Sequence, residues 1–114
     1  MKTVIAGSRG IEDYDALCQA IKESGYTITE VISGCARGPD TLGEQWAKEY
    51  GVPVSRFPPD WKLGRGAGFI RNRKMAEEAD QAIILWDGKS HGTANMMDNM
   101  HKLGKPVFVK VIGR

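Results

Sequence analysis

The chain has 114 residues, 41% of them hydrophobic and 26% charged, which is the make-up of one globular domain of the usual ~100–150 residues and excludes two. Sixteen Lys and Arg against fourteen Asp and Glu leave a net charge of +2, too small for the broad basic face that non-specific duplex binding requires. The longest apolar run, Ala82 to Trp86, is far short of the ~20 residues that span a bilayer. Met1 to Ala6 meets Gly7-Ser8-Arg9 before the apolar region of a secretory signal develops, so a cytoplasmic address is expected. Cys18 and Cys35 have neither C-x-x-C spacing nor His neighbours. No metal site or disulfide is expected, and Cys18 reads as a small packed hydrophobe.

Apolar runs alternate in period along the chain, and the glycines cluster at their ends. Thr3 to Ala6 reads as a short buried strand. Tyr14 to Ser24, with Leu17, Cys18 and Ile21 at helical spacing, reads as an amphipathic helix closed by Gly25. Thr27 to Ser33 is a second strand. Pro39 to Tyr50 carries Leu42, Trp46 and Ala47 on one face, opens on Pro and stops at Gly51, the signature of a second helix. Val52 to Phe57 is a third strand, followed by an irregular stretch from Pro58 to Gly66 and a helix from Ala67 to Ala79. Gln81 to Trp86 is the most apolar strand and the expected centre of the sheet. A helix over Thr93 to Leu103, with Met96, Met97, Met100 and Leu103 as its core face, and a strand over Pro106 to Ile112 complete the chain. Strand and helix in alternation predict a single α/β, Rossmann-like domain over residues 1–114, with about five parallel strands and helices on both faces.

In such a sheet the ligand lies beyond the carboxyl ends of the strands, near the reversal of strand order. Gly7, Ser8 and Arg9 can offer backbone amides, a hydroxyl and a guanidinium to one anion, or form a plain turn. Gly34, Arg37 and Asp40 surround the start of the second helix, where Asp40 and Glu44 share a face. These acids either offset the helix dipole or hydrogen-bond a ribose, and Glu44 is the candidate catalytic acid. Arg71 and Asn72, with Arg73, form the basic opening of the third helix, a phosphate site or a solvated face. Asp87 and Gly88 end the most buried strand, and Ser90, Gly92 and Thr93 lead into a helix start that offers a second anion site. Asp87 is read towards a sugar hydroxyl against a turn cap, and Thr93 doubles as N-cap. Trp61 and Trp86 either flank a flat base or pack; Trp46 reads as core, and His101 as solvent-facing. His91 has no Ser or Cys partner for a catalytic triad.

Val4-Ile5-Ala6-Gly7-Ser8-Arg9, Ser33-Gly34, Ala36-Arg37-Gly38, Gly43-Glu44-Gln45-Trp46-Ala47, Phe57-Pro58-Pro59-Asp60-Trp61, Arg71-Asn72-Arg73-Lys74-Met75 and Trp86-Asp87-Gly88-Lys89-Ser90 to Gly92-Thr93 stand in one order. On these segments the chain resembles the YspA-type, YpsA-related branch of the SLOG superfamily. The resemblance implies a Rossmann-like domain that binds nucleotides or derivatives of the ADP-ribose kind, as sensor or sequestering module. The cytokinin-activating phosphoribohydrolases of that superfamily carry Pro-Gly-Gly-x-Gly-Thr-x-x-Glu. Here Ser90 replaces a glycine, and the acid position falls at Met96, which transfers no proton. The leading expectation is a small phosphorylated nucleotide-type ligand held by Gly7-Ser8-Arg9 and the Gly92-Thr93 helix end, with no required cofactor. N-ribosyl hydrolysis is the enzymatic alternative. A dimerising module or a single-stranded DNA binder, as in the distantly related DprA, is the non-catalytic one.

Overall fold

The computed structural model describes residues 1–112. Its elements are β1 (Lys2–Gly7), α1 (Tyr14–Ser24), β2 (Glu30–Ser33), α2 (Pro39–Tyr50), β3 (Val54–Arg56), α3 (Ala67–Glu78), β4 (Gln81–Trp86), α4 (His91–Lys102) and β5 (Val107–Val111). The five strands form one parallel sheet in the order β3-β2-β1-β4-β5. The Rossmann-like α/β architecture expected from the sequence is therefore present. β1 holds the middle position, and the more apolar β4 lies beside it.

The two-residue period of the strands divides their side chains between two cores. Val4, Ala6, Ile32, Ala82 and Ile84 point to one face and pack with Met75, Ala76 and Ala79 of the α3 region and Met96, Met97 and Met100 of α4. Ile5, Val31, Ile83 and Leu85 point to the other face, against Leu17 and Ala20 of α1 and Leu42 and Ala47 of α2. Interior strands buried on both sides read as apolar runs, as β4 does from Ala82 to Trp86. Trp46 is half-buried against this second core, its ring 5.0 Å from that of Tyr50, and Cys18 is half-buried as well.

Three strands are shorter than their apolar runs, and proline accounts for two of them. Pro53 and Pro106 lack an N–H, so they join the sheet only through carbonyls, which accept from Val31 and Ala82 at 2.9 and 3.0 Å. Ladder pairing begins one residue later in each case. Ahead of β2, Thr29 donates to the Met1 carbonyl and Thr27 stays outside the strand. Leu103 is 47% exposed rather than core, because it is the C-cap of α4 and lies beyond the helical turns that set the methionine face. The stretch after β3 contains a 3-10 helix over Trp61–Gly66, its first turn capped by the Asp60 carboxylate on the Lys62 amide at 3.1 Å.

Gly43 marks the closest approach of helix to sheet. A β-carbon there would lie 2.8 Å from both Cβ and Cγ2 of Ile5, whose side chain is fully buried. Helix propensity alone favours Gly→Ala by about 1 kcal/mol in a helix interior, but here the added methyl has no space. Gly43→Ala is expected to lower the urea-unfolding free energy by about 1–3 kcal/mol. A stabilised variant would show that α2 lies further from the sheet.

Candidate functional site

The chain builds β1, β2 and β3 outward in one direction, then returns to place β4 and β5 on the other side of β1. The loops after β1 and β4 thus leave adjacent strands towards opposite faces, opening a crevice between them. A cavity of about 80 Å³ occupies it, lined by Gly7, Arg9, Asp40, Arg71, Asn72, Ser90, Gly92 and Thr93 over a floor of Ala6, Met75 and Met96. A wider cavity of about 250 Å³, lined by Gly34, Cys35, Arg37, Pro59 and Trp61, shares Arg9, Ala36 and Arg71 with the first. Most of the residues expected to bind ligand are brought together here. Ser8, Glu44, Asp87 and Gly88 line neither cavity.

Those four have other partners. Ser8 is 2% exposed; its amide donates to the Leu85 carbonyl and its hydroxyl accepts from the Asp87 amide, each at 3.0 Å. It fastens the loop after β1 to the loop after β4. Asp87 receives the Lys89 and Ser90 amides on Oδ1 at 2.8 and 2.9 Å. These backbone donors hold its carboxyl below the ordinary carboxylate value. Asp87 therefore does the work of a turn cap, the alternative to the sugar contact expected of it, and Gly88, at φ 81°, belongs to the same turn. Glu44 accepts from the Ser33 hydroxyl at 2.7 Å and pairs with the Arg56 guanidinium at 2.8 Å. Its carboxylate is engaged by these two partners and lines neither cavity.

Ser90, not Thr93, is the N-cap of α4. Its hydroxyl accepts from the Thr93 amide at 3.4 Å and lies 3.0 Å from the Thr93 hydroxyl. The helix consequently starts at His91, two residues earlier than the apolar pattern indicates. The amides of His91 and Gly92 make no hydrogen bond among the described residues, and Gly92 faces the smaller cavity. Arg9 and Arg37, both exposed, make no hydrogen bond or ion pair among the described residues.

Asn72 is 6% exposed and fully engaged. Its Nδ2 donates to the Gly92 carbonyl and to Asn95 Oδ1, both at 3.1 Å, while its Oδ1 accepts from Arg71 Nε at 3.0 Å. Arg71 reaches the other way, donating to the Gly34 carbonyl and, at 3.4 Å, to that of Phe57. Gly34 makes this possible: a β-carbon would lie 2.6 Å from Arg71 Nη1 and 2.8 Å from Asp40 Oδ2. Burial lowers the Arg71 pKa and the neighbouring Arg9 charge lowers it further, against the attraction of Asp40. Cys35, beside Gly34, has a left-handed φ of 64°, which non-glycine residues seldom adopt. The lining by Cys35, Pro59 and Met75 had no sequence signal beyond proximity to the motifs, because these residue types bear no distinctive ligand chemistry.

Among the described residues no helix is long and apolar enough to cross a membrane, and no cluster of metal-ligating side chains occurs. The doubly wound parallel sheet with its switch-point crevice defines a Rossmann-like domain. The family model described as "YspA, cpYpsA-related SLOG family" matches residues 1–64. Gene 61 protein of Mycobacterium phage D29 is 32% identical over 118 residues, an alignment that covers 94% of each chain. No solved structure matches significantly. The chain belongs to the YspA, cpYpsA-related SLOG family, and this membership supports a role connected in general with nucleotide derivatives.

Asp40 carries the main electrostatic anomaly of the crevice. It is 5% exposed. Burial raises its pKa above the ordinary 3.8, against the Ala36 and Gly34 amides and the Arg71 charge, which pull it down. The folded chain then binds this proton more tightly than the unfolded chain, so stability falls as pH rises through the interval between the ordinary and the raised value. Asp40→Asn keeps an acceptor for the Ala36 amide and has no proton to lose. Urea unfolding at a series of pH values is expected to show the variant gaining on the wild type as pH rises above about 4, until the Asp40 carboxyl of the folded wild type has ionised. A difference that stays constant with pH would mean that Asp40 titrates normally.

Proposed function

We propose that this protein binds a phosphorylated nucleotide derivative of the ADP-ribose kind across the switch-point crevice, as a sensor or sequestering module. The observation that carries the reading is the convergence of two guanidiniums, Arg9 and Arg71, with the open first turn of α4 on one cavity of about 80 Å³. An anion there meets forked donors, the free Gly92 amide and the positive end of a helix dipole. The volume suits a phosphate and not a whole nucleoside, so the remainder of the ligand extends into the wider cavity that shares both arginines. Asp40, in the wall of the small cavity, is placed to accept from a sugar hydroxyl.

Two positions support binding without hydrolysis. The position that carries the acid in the related phosphoribohydrolases is Met96, which is 1% exposed in the cavity floor. Glu44 is held by Arg56 and Ser33.

Thermal unfolding with ADP-ribose, NAD and AMP tests the reading. ADP-ribose at 100 times its Kd is expected to stabilise the fold by about 2.7 kcal/mol through mass action. Arg9→Ala, which removes a charged hydrogen bond worth about 1.5–3 kcal/mol, is expected to weaken binding about ten- to hundredfold and to leave unliganded stability unchanged. Chromatography of the incubated mixtures is expected to return the ligand intact. No stabilisation by any of the three compounds at millimolar concentration would overturn the proposal.

A further inference from the structure

The geometry points to Trp61 as the stacking platform of a base subsite: the wider cavity takes the planar heteroaromatic ring of the ligand whose phosphate occupies the smaller one. This rests on the phosphate reading above and assigns the part of the ligand that reading leaves open. Trp61 is 66% exposed, an expensive position for the largest apolar side chain. The other two tryptophans are half-buried and engaged. Trp46 meets the Tyr50 ring, and Trp86 packs on the α3/α4 core and donates its indole N–H to the Ser90 carbonyl at 3.2 Å. Of the two candidates for a base contact, Trp86 is thereby accounted for by packing. Trp61 makes no ring contact and no side-chain hydrogen bond among the described residues.

Its backbone is nonetheless well placed, in a 3-10 turn closed by the Asp60 carboxylate and by the Leu63 amide on the Asp60 carbonyl at 2.9 Å. Trp61 lines the cavity of about 250 Å³ together with Pro59, Arg9, Arg37 and Arg71. The neighbouring exposed apolar residues Leu63 and Ile70 line another depression with Phe57 and Pro58, which Trp61 does not line. An aromatic face and guanidinium planes are the surfaces on which nucleic-acid bases stack. No carboxylate lines this cavity.

AMP and ribose 5-phosphate separate the two halves of the site. Titration calorimetry of Trp61→Ala is expected to show AMP affinity reduced about five- to hundredfold and ribose 5-phosphate affinity unchanged, with Trp61→Phe retaining most of the AMP affinity. AMP should quench the indole emission of the wild type and not that of Trp61→Phe, and ribose 5-phosphate should quench neither. Equal AMP affinity in wild type and Trp61→Ala, or an equal loss for both probes, overturns the assignment of Trp61. Ribose 5-phosphate binding as tightly as AMP to the wild type also overturns it, with the phosphate reading intact. Failure of the wild type to bind either probe overturns both.

Discussion

Two adjacent side chains on α3 hold the crevice in shape. Arg71 reaches back to the carbonyls after β2 and β3, and Asn72 reaches across to the start of α4. Their mutual hydrogen bond makes the two reaches one unit. Each bond contributes on the order of 1 kcal/mol net, but loss of either side chain would leave buried carbonyls and amides without partners, which costs more. This pair ties the ends of β2 and β3 to the start of α4, as Ser8 ties the loop after β1 to the loop after β4. The arginine that does so also presents its charge to both cavities.

Charge is distributed in the same sense. The chain as a whole is nearly neutral, and several of its ion pairs lie elsewhere, as with Lys2 and Glu78, Arg56 and Glu44, and Lys110 and Glu23. Those pairs cancel locally. Arg9 and Arg37 have no ion pair among the described residues, and with Arg71 they stand around the two adjoining cavities. Three guanidiniums around adjoining cavities raise the local positive potential, which net charge alone would not reveal.

The fold was legible because its signals are local. Continuous apolar runs in β1 and β4, glycines at Gly25 and Gly51, and Pro39 at a helix start each act within a few residues. The misjudged strand ends lie at Pro53 and Pro106, where apolar character continues but the donor for the ladder is missing. The location of the site was legible from topology, since the reversal of strand order selects the loops before any side chain is considered. Individual roles were not. Ser8 and Asp87 are 79 residues apart in the chain, and Arg71 is 37 from Gly34. Whether a hydroxyl or amide serves the ligand or the scaffold depends on such distant partners, and sequence spacing carries no trace of them. Asn72 shows this best: its directional donor and acceptor capacity, the feature that suggested a ligand, is used up on Arg71, Gly92 and Asn95.

The contact between Gly43 and Ile5 has a bearing on how this domain changes over evolutionary time. One position belongs to a helix and the other to the middle strand, yet they share a single volume. A methyl gained at 43 requires one removed at 5, since cores accept volume-conserving exchanges far better than net additions. The two sites are therefore heritable as a pair. Enlargement at 43 alone is closed.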